Sequence, residues 1–409
     1  MPPPPIDSQH AVKSGRAEAK AHNFSTAETA ADWMPIEPQA AMLEVQVNTK
    51  RGKTRPFRKL LFSLAIIILG IVLIEGFVRI RQWRRFGTTD HFLIASFFDP
   101  ATRHLVPTPL QNTKRVQTDS RGFRSPELVM PKPAQTIRMA FLGASTSLCL
   151  EATNNQKTWP HLVWQACAEK FKNNNFDYLN SSMTGWGVGD SARDFDARVA
   201  ACRPDITIIY QASNDFVRVS RDAARRQGID VGNATDEPTG LASFSLAWYL
   251  VQKNLLIHNI EKPVQPSESF QLSDADITAT FREELKALIL NVRNSGSVPV
   301  VLTFSHRARG EQTPREQFEA CQSSLFYMPW MTVDGIRRGF DLLNATIRDV
   351  AKETNCLLID DENSIPGDAI HYTDSVHLTD EGCEAMARRV CDSLFDSREF
   401  KELLVKGLK

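Results

Sequence analysis

The sequence predicts an α/β layered fold with parallel strands, preceded by one membrane-spanning helix and a disordered N-terminal tail. Three observations predict it. From Ile137 to Phe395, short apolar runs alternate with stretches of helical periodicity, the pattern of β-α-β units. One unbroken apolar stretch, Leu60 to Val78, comes before them, and a bilayer core needs about 20 such residues. Ahead of it, residues 1–58 open with Pro2 to Pro5 and continue through Ala, Glu, Ser and Thr without sustained periodicity, a composition that cannot bury a core.

In chain order, the basic residues Lys50, Arg51, Lys53, Arg55, Arg58 and Lys59 lead into the apolar stretch, and Arg79, Arg81, Arg84 and Arg85 follow it. The preceding segment is too long for the n-region of a signal peptide, and no small-residue cleavage site follows. Residues 59–82 therefore read as an uncleaved anchor. The larger basic cluster lies on the N-terminal side, which puts the N-terminus in the cytoplasm and the rest outside it, in the periplasm if the source is bacterial. Glu75, the one charge in the run, lies near its far end and is expected to snorkel to the interface. Residues 83–133 are irregular and read as an extension leaning on the domain.

The strands expected are Ile137 to Leu142, Phe176 to Leu179, Asp205 to Tyr210, Val298 to Phe304 and Leu357 to Ile359. Each is short, apolar and bounded by turn residues. Helical spacing covers Thr158 to Lys172, Val188 to Ala201, Asp274 to Asn294, Gly335 to Glu353 and Thr379 to Phe395. Residues 216–266 break the alternation directly after the third strand. Loops at the carboxyl ends of parallel strands line the ligand crevice, so this insertion reads as a lid. Residues 398–409 read as a C-terminal tail.

Composition excludes several classes. Lys+Arg and Asp+Glu are both 48 and the isoelectric point is near 7.1, which argues against a nucleic-acid binder. A mean hydropathy of -0.28 excludes a polytopic membrane protein. Seven cysteines with no C-x-x-C pair support neither a disulfide scaffold nor a zinc site. Cys383 and Cys391 lie about 12 Å apart along one helix by helical rise and cannot bridge each other.

Chemistry-bearing residues fall at the strand ends. Gly143-Ala144-Ser145 closes the first strand, Gly185 lies in the polar turn after the second, Asn214-Asp215 follows the third, and Asp374-Ser375-Val376-His377 precedes the last helix. A serine needs a base to become nucleophilic, and His377 supplies one. Asp374 is placed to hold the other ring nitrogen. The backbone N–H groups of Ser145 and Gly185 and the Asn214 amide suit an oxyanion. Read singly, Ser145 is an ordinary helix N-cap, Asn214 a helix start and Gly185 a turn glycine; four blocks in order favour the catalytic reading. His371 with Asp368 repeats the Asp-x-x-His spacing. His377 is preferred because it leads directly into the last helix, whereas Asp368 follows a Pro366-Gly367 turn. His306, Arg307 and Arg309 read as a solvated loop or, alternatively, as contacts to a polar substrate. Tyr327 and Trp330 read as stacking on a sugar or as packing on the domain.

These blocks resemble the SGNH hydrolases, the GDSL-type esterase superfamily, with Ala144 where many members have Asp and Ala212 where they have Gly. The resemblance runs from about Asp119 to Phe395, and Asp119-Ser-Arg-Gly-Phe-Arg124 is similar to the lead-in of membrane-anchored bacterial members. It implies a flavodoxin-like three-layer α/β/α sandwich with a five-stranded parallel sheet over 134–397, and no metal or organic cofactor. It implies a serine esterase that hydrolyses an O-acyl ester through Ser145, His377 and Asp374, with an acylated small molecule or cell-envelope glycan as substrate. The alternatives are an O-acyltransferase using the same acyl-enzyme and a non-catalytic envelope binding protein.

Overall fold

The computed structural model describes residues 54–90, 94–231, 244–258 and 270–407. The expected disordered tail lies outside the described residues except for Thr54 to Arg58, which instead open a helix, α1 (Thr54–Phe86). Pro56 sits in its first turn, where a missing N–H costs nothing. One span, Phe57–Phe86, is long and apolar enough to cross a membrane, with a mean hydropathy of 2.7 in its most apolar window. The Glu75 carboxylate, expected to reach the interface, takes hydrogen bonds from elsewhere in the chain, described below.

The extension is more ordered than its sequence suggested. It carries an antiparallel hairpin, β1 (Ser96–Asp99) with β2 (His104–Pro107). Ile94, Val106 and Val116 form a small buried cluster with Leu148 at the end of the short helix that follows the first strand of the domain and with Met183 and Trp186 of a loop.

The domain proper begins with β3 (Thr136–Gly143), α2 (Ser145–Leu148), α3 (Trp159–Lys170), β4 (Asn175–Ser182), α4 (Val188–Asp194) and β5 (Ile206–Tyr210). Next come α5 (Ser213–Arg226), α6 (Leu246–His258), α7 (Asp274–Asn294), β6 (Val298–Leu302), α8 (Pro314–Tyr327), α9 (Val333–Glu353), β7 (Leu357–Ile359), α10 (Asp380–Asp396) and α11 (Arg398–Gly407). The five strands pair in parallel in the order β4-β3-β5-β6-β7. Counted along the domain this is 2-1-3-4-5, the flavodoxin-like order. α3 and α10 pack together, and α4, α5, α7 and α9 form a second packed group, which gives three layers. The interior strand β3 is buried from Ile137 onward, and its one charge, Arg138, pairs with Asp177 at the same register on β4, at 2.6 and 2.8 Å. A buried cation is tolerated only with such a partner.

Several boundaries differ from expectation, each for a visible reason. β6 stops at Leu302 because the Asn344 side chain takes both the N–H and the carbonyl of Phe304. The helix expected to Ala201 ends at Asp194 and continues as a wide π turn, Phe195–Val199, that keeps both of those residues buried. The expected tail is the helix α11, whose Phe400 and Leu403 are buried, with Phe400 packed edge-on against Phe171. Of the expected lid, the first residues form the rest of α5, with Phe216 in the core against Phe340. Its helix α6 meets α1, and 232–243 and 259–266 lie outside the described residues.

Candidate active site

β3 delivers Ser145 to the carboxyl edge of the sheet. Gly143 is required at its end: a Cβ there would lie 2.1 Å from Ser147 Oγ and 2.9 Å from the Tyr210 carbonyl oxygen. Ala144 then holds the N-cap position of α2, so Ser145 is the first helical residue rather than the cap. Its N–H belongs to the first turn, where intrahelical acceptors are lacking. The carbonyls of this short turn are held from behind. Trp159 Nε1 donates to the Thr146 carbonyl at 3.1 Å and Asn180 Nδ2 to that of Ser147 at 2.8 Å. Arg124, fully buried, donates to the carbonyls of Leu148 and of Cys149, the latter at 2.7 Å.

The histidine arrives from the other end of the domain. Asp374 Oδ1 accepts the N–H groups of Val376 and His377, both at 2.9 Å, which bends the chain into a tight turn. Its Oδ2 lies 2.7 Å from His377 Nδ1, and His377 Nε2 lies 2.8 Å from Ser145 Oγ. The turn is fastened to α8 by Ser375, whose Oγ accepts from the Ser324 N–H and whose N–H donates to Ser323 Oγ, each at 3.1 Å. α8 was not expected from the sequence, nor was the buttressing by Arg124, Trp159 and Asn180. The one signal was an arginine ending the Asp119 to Arg124 lead-in.

Asp368 and His371 make the same local turn: Asp368 Oδ1 accepts the Ile370 and His371 N–H groups and lies 2.8 Å from His371 Nδ1. What separates the two pairs is the serine, which faces only His377.

The remaining site residues converge on one loop. Gly185 adopts φ +82°, a left-handed conformation that other residues adopt at a cost. Among the described residues no hydrogen bond uses its N–H, while its carbonyl accepts from Arg218. Asn214 Nδ2 donates to the Trp186 carbonyl at 2.8 Å, and Asp215 Oδ1 accepts the Val188 N–H at 3.0 Å. The Asn-Asp pair thus staples the segment that follows Gly185 at two points. An amide NH₂ has two hydrogens, so Asn214 keeps one beyond its bond to Trp186. The loop is also backed by the hairpin: Trp186 Nε1 donates to the Leu105 carbonyl at 3.1 Å and its ring lies 4.5 Å from that of His104.

One expectation is corrected, and one pair of alternatives is narrowed. His306 and Arg309 form neither a solvated loop nor a substrate contact; both are buried. Arg309 donates to the Ile365 carbonyl at 2.9 Å, and His306 stacks on Phe340 with its pKa pushed down to about 3 by burial and the nearby Arg309 and Arg337. Arg307 is half-buried, and its N–H donates to the Ser375 carbonyl at 2.8 Å, bracing the histidine turn. Trp330 is buried in the core and Tyr327 lies against Phe326, so both pack on the domain.

The electrostatics follow the geometry. Burial disfavours the His377 imidazolium, but the Asp374 carboxylate, and after it Glu151, outweighs that and raises the pKa well above its ordinary value. For Asp374, burial acts upward and the facing imidazole with its hydrogen bonds acts downward; the net is lowered. An Nδ1–H donated to a carboxylate leaves Nε2 as the acceptor facing Ser145 Oγ.

Residues 141–385 match the model of the GDSL-like lipase/acylhydrolase family. The chain belongs to that family. It is a carboxylic ester hydrolase, and the matched segment of the GDSL-like domain includes Ser145, Gly185, Asn214, Asp374 and His377. Solved structures similar to it include Axe2, an acetylxylan esterase from Geobacillus stearothermophilus, at 15% identity, covering 63% of this chain and 93% of that one with a TM-score of 0.38. TesA is similar at 12% identity, covering 63% and 97%, TM-score 0.38. LAE5, an alpha/beta hydrolase enzyme from the metagenome of Lake Arreo, Spain, is similar at 14% identity, covering 63% and 94%, TM-score 0.39. No curated protein matches the sequence.

Proposed function

We propose that this esterase cleaves O-acyl esters by a Ser-His-Asp relay in which Ser145 is the nucleophile, His377 the general base and Asp374 the group that orients it. The observation that carries the reading is the pair of hydrogen bonds running from Ser145 Oγ through His377 to Asp374. Ser145 Oγ attacks the carbonyl carbon while its proton passes to His377 Nε2. The oxyanion is met by the N–H groups of Ser145 and Gly185 and the second hydrogen of the Asn214 amide. Collapse expels the alcohol, which takes the proton from His377, and leaves an acyl-serine. Water, deprotonated by the same nitrogen, then releases the acid. The substrate is an acylated glycan of the cell envelope or a small ester. This follows from reading α1 as a membrane anchor with its N-terminus cytoplasmic and the domain outside.

A fluorophosphonate probe tests the nucleophile: it labels the full chain and fails to label Ser145→Ala. Labelling that persists in the variant sinks the assignment. A reporter fused after Lys409 tests topology, with activity expected only from one that works outside the cytoplasm.

Two further outcomes are expected. Neutral His377 is the reactive form, and its pKa is raised, so the base is protonated and idle at low pH. The acidic limb of kcat/KM therefore has its midpoint above the ordinary histidine value of about 6.5. Asp374→Asn removes the raising charge, moves that midpoint down, and lowers kcat on the order of 10⁴-fold. A midpoint that does not move with this substitution assigns the titration to another group. Asn214→Ala lowers kcat by about 10²–10³ if its amide meets the oxyanion; a change confined to stability would leave it only the staple on Trp186.

A further inference from the structure

Glu75 is the single acid within the apolar run of α1. A carboxylate there is costly unless its oxygens are satisfied, and here they are satisfied from 170 residues away. Oε1 accepts the Leu246 N–H at 2.9 Å and Oε2 the Ala247 N–H at 3.1 Å. Ser245 Oγ donates to Oε2 at 2.8 Å, and Arg79 Nε donates to Oε1 at 2.6 Å while its Nη2 reaches the Phe244 carbonyl at 3.0 Å. Glu75 thus caps α6 together with Ser245, whose Oγ accepts the Trp248 N–H at 3.0 Å; the carboxylate satisfies two further N–H groups that a helix start leaves unpaired and meets the positive end of its dipole.

The cap fixes the level of α6. On the anchor reading, the lipid core ends near Glu75, since Arg79, Arg81, Arg84 and Arg85 follow within a few turns, where they suit phosphate headgroups. α6 therefore starts at the bilayer boundary. Leu246 is turned into the protein, fully buried. Trp248 and Val251, three apart on one face of α6, are 51% and 45% exposed, and Phe244, two residues before the helix, is 81% exposed. Ile74 and Phe77 of α1, within two residues of Glu75 in the chain, are exposed as well. A tryptophan and a phenylalanine at this level have the chemistry of the aromatic belt that sits among headgroups and upper acyl chains.

We propose that the insertion after β5 supplies an interfacial helix: the Trp248 and Val251 face of α6, with Phe244 just ahead of it, lies in the lipid surface, held there by Glu75 at the helix start. The inference rests on α1 spanning the membrane. It makes the domain touch the bilayer at a second place, so the segment expected to be a lid is a foot.

The test places a benzophenone amino acid at single sites in the full chain, in vesicles of phosphatidylethanolamine and phosphatidylglycerol. Photolysis at positions 248 and 251 is expected to give lipid adducts at yields within a few-fold of position 69, in the middle of α1. Position 315, on α8 with an 89% exposed side chain, is expected to give none. Glu75→Ala should reduce the yield at 248 several-fold, and an unchanged yield overturns the assigned tie. Yields at 248 and 251 no higher than at 315, or adducts there to protein, overturn the interfacial helix while adducts at 69 keep the anchor. Absence of lipid adducts at 69 as well overturns both.

Discussion

Ser145→Ala and His377→Ala each reduce kcat by a thousandfold or more, and the double variant is scarcely worse than either single one. The reason is geometric. Ser145 Oγ and His377 Nε2 lie 2.8 Å apart and act on one proton, so removing either removes the same step. Effects of groups that act as a unit do not add. The residual rate comes from the oxyanion donors and substrate binding, which both variants retain. His371→Ala and Asp368→Ala are the decisive controls. Their turn reproduces the Asp374 to His377 turn almost bond for bond, yet Ser145 bonds to His377 and not to His371. Their kcat should stay within about twofold of the parent, because they touch no reacting atom. Steady-state hydrolysis of p-nitrophenyl acetate by the full chain reads the parent and all five variants. Equal losses in the His371 and His377 variants would remove the distinction on which the site rests.

Arg124→Ala has the second-largest expected effect, and it acts at a distance from the reacting atoms. The guanidinium is buried and spends its donors on the Leu148, Cys149 and Arg115 carbonyls and on Asn155 Oδ1. Truncation strands several buried acceptors. Each costs on the order of 1–3 kcal/mol, so about 3 kcal/mol or more of stability is lost. It also frees the carbonyl end of the helix that Ser145 begins, and a displacement near 1 Å at a nucleophile is worth about 10²-fold in rate. Arg124→Lys keeps the charge but not the planar fork, and should recover only part of either loss. Denaturant unfolding and kcat, measured on the same samples, check this. A variant as stable and as active as the parent would show that α2 is held by Trp159 and Asn180 alone.

Arg124, the β1–β2 hairpin and α6 all connect the segment next to α1 with the loops or helices of the domain. None of these ties has a local sequence signature. The extension is poor in periodic apolar residues, and its small cluster is completed only by Leu148, Met183 and Trp186 from the other side of the contact.

What the sequence determined by itself is the part governed by neighbours along the chain. Five buried strands, the helices between them and the span of α1 are set by apolar runs and by the spacing of residues such as Phe340, Leu343 and Ile347. Such patterns act over one or two turns and survive in any tertiary context. The residues ending each strand were legible for the same reason: a parallel sheet brings its carboxyl ends to one edge. Tertiary structure decided what depends on contacts between distant segments. Local chemistry builds two equivalent Asp-x-x-His turns, and only a contact spanning 232 residues selects His377. Arg309 looked like a surface charge until the Ile365 carbonyl, 56 residues on, was found to receive it. Glu75 looked like a residue seeking water until Ser245 and Leu246 supplied its partners. A charge advertises its cost in the sequence, but its partner is chosen by packing.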